Sequence, residues 1–186
     1  MGKIRIENNV SIPMPIVVVG SMHNGKPNFM AVGWITRVNA NPPMIAIGIG
    51  QSHLTHNCIM ENKSFSVNIT GKELLIKTDY VGIVTGSKID KSDVFDVYYE
   101  KDKNIPLIKD AKLSLECKLV DFKKLPTSTI FIGEITGAWC EEDFLEGKNI
   151  DYKKMQCFFL TMPDNKYWSL GENLGKAWSD GSKYKK

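Results

Sequence analysis

Apolar residues occur along this chain in short runs, most of them spaced for strands. Ile16-Val17-Val18-Val19-Gly20 is short, continuous and β-branched, as a strand buried on both faces would be. Asn24-Gly25 tolerates the positive φ angles of a tight hairpin turn. Residues 28–37 then read as the returning strand, which mixes small residues with one large aromatic, Trp34. Pro42-Pro43 lack the N–H that a ladder needs and stop that strand. Residues 44–49 form the next apolar run. Residues 52–62 read as a helix, with Leu54, Cys58 and Ile59 at helical spacing and Ser52 as its N-cap. Residues 64–69 read as a strand, and 73–82 as a second helix carrying Leu74, Leu75, Thr78 and Val81 at three-or-four spacing.

The second half has the cleanest alternation. Ala111, Leu113, Leu115, Cys117 and Leu119 alternate with Lys112, Ser114, Glu116 and Lys118, which predicts one dry face and one wet face. Residues 128–139 form a long β-rich run in which Gly133 and Gly137 predict bends or bulges. Residues 155–161 read as the last strand. Many strands, two short helices and no βαβ rhythm predict a mainly β fold, an antiparallel barrel with peripheral helices.

Composition narrows the function classes. With 186 residues and no internal repeat or linker, the expectation is one domain over 1–186, with its core about 12–181. A net charge of +3 is too small to point to nucleic acid, and the basic Lys183 to Lys186 tail reads as a frayed end. No apolar run approaches the ~20 residues of a membrane span. The opening Met1-Gly2-Lys3-Ile4-Arg5-Ile6-Glu7 lacks the apolar core of a signal peptide. Cys58, Cys117, Cys140 and Cys157 are dispersed, with no C-x-x-C pair and no zinc-site spacing. The expectation is a cytoplasmic protein with free thiols and no metal.

The side chains advertise no reaction of their own. There is no nucleophile elbow, no paired carboxylates, no H-E-x-x-H and no Walker sequence, so any redox chemistry would come from a cofactor. Four segments suit a flat, phosphorylated one. The small residues of strand 28–37 let a flat ligand approach the backbone, whose polar groups can bond the edge of an isoalloxazine; the plain alternative is an ordinary strand with Trp34 in the core. Gln51-Ser52-His53-Leu54-Thr55-His56-Asn57 leads into a helix start that suits a phosphate, or simply caps the helix. His53 and His56 are phosphate partners or surface residues. Gly82-Ile83-Val84-Thr85-Gly86-Ser87-Lys88-Ile89-Asp90-Lys91 can wrap an anion, or be a solvated loop. The aromatics of Tyr167-Trp168-Ser169-Leu170-Gly171 cover a flavin face or seal the barrel.

Taken together, the motifs resemble the flavin reductase-like, FMN-binding split-barrel family, its flavoredoxin-type members most of all. They begin with Pro13-x-Pro15, Val19-Gly20, Gly25-Lys26-Pro27-Asn28-x-Met30 with Trp34, and Pro42-Pro43. Thr55 follows, then Ile59-Met60-Glu61-x-Lys63-x-Phe65-x-Val67-Asn68-Ile69 and Asp79-Tyr80-x-Gly82-Ile83 with Gly86 and Asp90-Lys91. Leu115-Glu116-Cys117, Gly133-Glu134-Ile135 and Tyr167-x-x-x-Gly171 complete the series.

The resemblance implies a split β-barrel that binds FMN non-covalently as a homodimer, with the flavin near the subunit interface. It implies electrons passing from NAD(P)H, or from a redox protein donor, through FMN to an acceptor, with no catalytic side chain. A non-enzymatic FMN electron carrier for a ferredoxin-like partner, or a flavin- or haem-binding module without turnover, are the alternatives. Carried over, Asn28 and the strand Met30, Ala31, Val32, Gly33, Trp34, Ile35 flank the ring, with Trp168 as a cover. Ser52, His53 and Thr55 serve the phosphate, and Gly86, Ser87, Lys88 and Lys91 close over it. Flavoredoxin-type chains often carry Ser-Gly-Arg where this one has Thr85-Gly86-Ser87, so the cation moves to Lys88 or Lys91.

Overall fold

The computed structural model of the chain describes residues 2–185. Its strands, in chain order, are β1 (Met14–Pro15), β2 (Val17–His23), β3 (Lys26–Val32), β4 (Ile35–Asn39), β5 (Met44–Gly50) and β6 (Ser64–Ile69). They continue with β7 (Val97–Tyr98), β8 (Leu107–Ile108), β9 (Leu113–Lys124), β10 (Ser128–Cys140), β11 (Leu145–Glu146), β12 (Asn149–Ile150), β13 (Phe158–Thr161) and β14 (Lys166–Ser169). The helices are α1 (Leu54–Asn62), α2 (Leu75–Ile83) and the one-turn α3 (Tyr152–Met155).

One antiparallel sheet organises the molecule, in the order β3-β2-β6-β9-β10-β5-β4. Its two edge strands, β3 and β4, are consecutive in sequence. Gly33 and Trp34 carry the chain from one edge to the other, and no strand ladder joins β3 to β4. The sheet therefore curls into a barrel that stays split along this seam. The expectation of one strand over 28–37 is corrected: it breaks at Gly33-Trp34. There the Ile35 N–H donates to the Gly33 carbonyl at 3.0 Å, and the Gly48 N–H reaches across to the Trp34 carbonyl at 2.8 Å.

Curvature comes from the two glycines that the pattern singled out. The β9–β10 register shifts between Ile132 and Gly133 and again between Ile135 and Gly137. Gly133 also makes room for Phe65, because a Cβ there would lie 2.6 Å from the ring.

Two apolar clusters sit on opposite faces of the sheet. Inside the barrel are Val17, Val19, Ile47, Ile49, Ile59, Phe65, Val67, Cys117 and Phe131. Outside, Val18 and Phe29 pack beneath Leu74, just before α2, Val81 of α2, and Phe95, Ile108 and Ala111 of the long excursion after it. This second layer corrects the predicted wet face of β9, since Ser114 and Glu116 are each only 1% exposed. The Ser114 hydroxyl donates to Asn68 Oδ1 at 2.9 Å, and Glu116 Oε1 accepts from the Lys101 N–H at 3.3 Å. Asn68 Oδ1 also accepts from the Ile108 N–H at 2.9 Å, while its Nδ2 donates to the Val18 carbonyl and to Ser66 Oγ. Buried polar groups of this kind are tolerated because each has a partner.

Other local expectations shift. α1 starts at Leu54 behind a turn in which the His53 N–H bonds the Gly50 carbonyl at 3.1 Å, and no side chain caps it. Ser52 is therefore not the N-cap. Met155 ends α3 instead of opening a strand, because the Asp151 carboxylate caps that turn by accepting from the N–H groups of Lys153 and Lys154. The strand begins at Phe158 as β13, and it is not the last, because β14 follows at Lys166–Ser169. In the basic tail, residues Asp180–Lys183 form a 3₁₀ turn, and Lys186 lies outside the described residues.

Candidate functional site

The split between β3 and β4 opens into a cavity of about 270 Å³. Met30, Ala31, Val32, Gly33 and Trp34 line one side, and Gly48 and Gly50 of β5 face them. The lining follows from the strand pattern. Along β5 the large Ile45, Ile47 and Ile49 turn into the barrel, which leaves Ala46, Gly48 and Gly50 on the other face. That small face lets Trp34 lie over Gly48, where a Cβ would sit 3.2 Å from the indole. Trp34 is 59% exposed, so the reading of it as a core residue is corrected. Among the described residues β2 is the only strand neighbour of β3. On such an edge strand every second residue turns its N–H and C=O away from the sheet.

A narrower cavity of about 80 Å³ shares Met30 and His53 with the first, and is walled by Thr55, Gly86 and Lys91. A third, of about 350 Å³, shares Gly86 and Lys91 with the second and adds Asn28, Ser87 and Lys88. Through these shared walls the three adjoin one another along a single cleft. β3, the start of α1 and the loop after α2 thus meet, although they are far apart in the sequence.

Asn28 is 5% exposed and donates from Nδ2 to Thr55 Oγ1 at 2.9 Å. Its Oδ1 lies against Gly86, where a Cβ would collide with it. Ser87 Oγ pairs with Thr85 Oγ1 at 2.9 Å, and Lys88 is exposed at the outer end. Lys91 is 4% exposed, and its Nζ donates to the Val81 and Val84 carbonyls, both at 3.1 Å. Burial lowers its pKa to about 8. Partial burial, and secondarily the nearby Lys91 charge, lower the His53 pKa below its ordinary 6.5. The first turn of α1 has neither a side-chain cap nor an acidic residue, so its free N–H groups stay available near Thr55.

Several predicted residues fall elsewhere. Ile35 packs against the barrel core and lines none of these cavities. Ser52 is exposed on the turn before α1 and lines none either. Trp168 lies in a separate groove beside Tyr167 and Leu170, with its Nε1–H donating to Thr161 Oγ1 at 2.9 Å. Among the described residues β14 pairs with β13 alone, at the edge of the small sheet. His56 is neither a surface residue nor a cleft residue. It is 8% exposed, bonds Thr129 Oγ1 at 3.0 Å and packs edge-on against Phe131. Sequence reasoning missed the opposite wall, Gly48 and Gly50, and the rim residues Met14, Leu160 and Met162. The alternation of isoleucine with small residues over 45–50 was the available signal for the wall. No sequence signal marks the rim.

A split barrel with a cleft along its seam, walled by a polar strand edge and a basic loop, defines a class of ligand-binding domain. The chain matches the model of the flavin reductase like domain over residues 10–158 and belongs to that family. It is similar to flavoredoxin from Methanosarcina acetivorans, whose X-ray structure is 48% identical, with 97% of this chain and 98% of that one covered and a TM-score of 0.95. Flavoredoxin of Desulfovibrio vulgaris (Miyazaki F) is 27% identical, with 97% and 100% covered and a TM-score of 0.89. An uncharacterized protein of Archaeoglobus fulgidus is 31% identical over 131 residues, which is 69% of this chain and 74% of that protein.

Proposed function

We propose that this chain holds FMN non-covalently in the split-barrel cleft and works as an oxidoreductase or electron-transfer protein. The observation that carries this reading is the meeting, in one cleft, of an unpaired strand edge, an uncapped helix start and a buried lysine that, among the described residues, has no carboxylate partner. A flavin ring needs a flat, partly apolar slot with hydrogen-bonding groups along one edge. Trp34, the small wall at Gly48 and Gly50, and the backbone of β3 meet that need. A phosphate needs donors and positive charge, and the first turn of α1, Ser87, Lys88 and Lys91 supply both. These residues fit FMN.

When bound, FMN supplies the capacity to take and pass electrons. The protein's residues orient and bind. Asn28 and Thr55 fix one another across the cleft and so set its width. Trp34 flanks the ring and Gly86 keeps the passage beyond it narrow. Lys91 braces the C-terminal end of α2 and faces the cofactor's charge. No side chain is assigned to acid–base catalysis.

We read the donor as NAD(P)H, with electron transfer from a ferredoxin-like protein as the second reading. The cleft's open side, where Trp34 is 59% exposed, leaves room for a planar donor against the ring and favours the first. The half-exposed Trp34 and Met162 at the mouth also support a homodimer that would cover them. We further propose that residues 1–186 act as one domain in the cytoplasm, with all four cysteines as thiols. Among the described residues no helix is long and apolar enough to cross a membrane, and no cluster of three metal-ligating side chains occurs.

The test is reconstitution with FMN followed by anaerobic mixing with each donor. A yellow complex that loses its blue absorbance promptly with NADH or NADPH is expected. A colourless protein with no heat of association would overturn the flavin reading. A yellow one reduced only by a ferredoxin would replace the reductase with the carrier.

A further inference from the structure

Lys91 is a buried cation that pairs with no anion among the described residues. It stands 4% exposed with Nζ on two carbonyls, those of Val81 and Val84. Val81 lies in the last turn of α2 and Val84 follows as its C-cap, at the end where the helix dipole is negative and welcomes a cation. The surroundings add little more. From the start of α1 comes His53, which is itself a potential cation. From β3 comes Asn28, which is neutral and occupied with Thr55. On Lys91's own loop, Asp90 is drawn to Lys26 at 2.7 Å, and Lys88 is exposed. From α2 and its C-cap come the two carbonyls and no carboxylate. An ammonium has three N–H donors. Two are used, which leaves one for whatever occupies the cavities that Lys91 lines.

We infer that Lys91 makes cofactor binding proton-linked: FMN is held tightly while Lys91 carries its proton, and uptake of FMN is accompanied by uptake of a proton. This rests on the reading of the cleft as a flavin site. Burial alone lowers the pKa of Lys91 to about 8, so its charge begins to leave at mildly alkaline pH. A bound anion favours the charged form and raises that value. Affinity must then fall as pH climbs through about 8. A neutral amine keeps two N–H groups, enough for both carbonyls, so the change is one of charge and not of architecture.

The empty protein responds with the opposite sign. Its folded-state value of about 8 lies below the ordinary 10.5, so the unfolded chain binds more protons between the two. Through this group, the stability of the empty fold rises with pH across that window while its affinity for FMN falls.

FMN titrations of the wild type from about pH 7 to about pH 9, where the phosphate is already doubly ionised, test the inference. The dissociation constant is expected to rise about tenfold across that range. Calorimetry near pH 8, in buffers of different ionisation heat, is expected to show a buffer-dependent heat. Lys91→Arg stays charged and is expected to give a flat profile. Lys91→Met is expected to bind weakly at neutral pH and also flatly. Without FMN, the wild type's melting temperature is expected to gain on that of Lys91→Met as pH rises above 8. A flat wild-type profile, a buffer-independent heat, or a Lys91→Arg profile with the wild-type slope would each overturn the proton linkage and leave the flavin reading standing. Failure to bind FMN at every pH would overturn both. If Lys91→Met does not fold, Lys91→Arg and the wild-type heats decide the matter.

Discussion

Every residue from Val17 to Ser21 in β2 and from Ser64 to Asn68 in β6 is buried, whereas four of the five residues of β4 are exposed. These strands belong to one sheet and differ in what lies on its outer face. Over β2 and β6, α2 and the excursion after it add a second core and a polar seam centred on Asn68. Over β4 and the distal half of β9 nothing from the described chain packs, and Val38, Val120 and Phe122 are 47%, 44% and 38% exposed. The lesson is a division of labour. The doubly covered side supplies the rigidity, and the seam beside the bare side is free to take a ligand.

Substitutions on the two sides should behave differently. The largest effect is expected from Phe65→Ala, which empties the barrel interior beneath Gly133. It should cost about 3–5 kcal/mol in urea unfolding, whereas Phe122→Ala on the bare side should cost less than about 1 kcal/mol. Equal losses at the two positions would erase the contrast. Next comes Asn68→Ala, which strands the Ile108 N–H and the Ser114 hydroxyl in a dry layer. A loss of about 2–3 kcal/mol is expected, with FMN affinity unchanged once the protein is folded; weakened FMN binding would mean that the seam also shapes the cleft.

Trp34→Ala reverses the pattern. Its stability should stay within about 0.5 kcal/mol of the wild type, as for other surface changes, while the FMN dissociation constant rises about tenfold, or ~1.4 kcal/mol. Flavin affinity that survives this truncation would move the ring elsewhere in the cleft. The smallest effect is expected from Tyr167→Phe. Burial, and then the Asp79 carboxylate that its hydroxyl bonds at 2.6 Å, push the Tyr167 phenol up to about 12. The folded value lies above the ordinary 10.0, so the stability this group gives is complete below pH 10 and lost as pH rises through 12. Melting curves of Tyr167→Phe should therefore show a shallower alkaline decline. An unchanged slope would remove Asp79 and Tyr167 as the brace between α2 and the small sheet.

Much of the barrel was legible residue by residue. The β-branched run at Val17 to Val19 announced burial on both faces, and Gly133 and Gly137 announced the bulges. For the cleft, β3, Thr55 and the loop from Gly86 to Lys91 were readable, because small residues, hydroxyls and lysines signal a ligand locally. Trp168 lines a separate groove instead, and an aromatic near a glycine looks alike in sequence wherever it faces.

Side-chain period, turn chemistry and the placing of glycines were decided within a few residues, and the sequence alone determined them. The split at Gly33-Trp34, the burial of Ser114 and Glu116 and the isolation of Lys91 from any carboxylate were decided only by tertiary structure. Each depends on a segment beyond the local pattern: β5 for the split, β6 and the 95–112 excursion for the buried polar residues, and the start of α1 with the end of α2 for the lysine. A burial free energy is set by what covers a group, and local sequence does not encode what will come to lie above it.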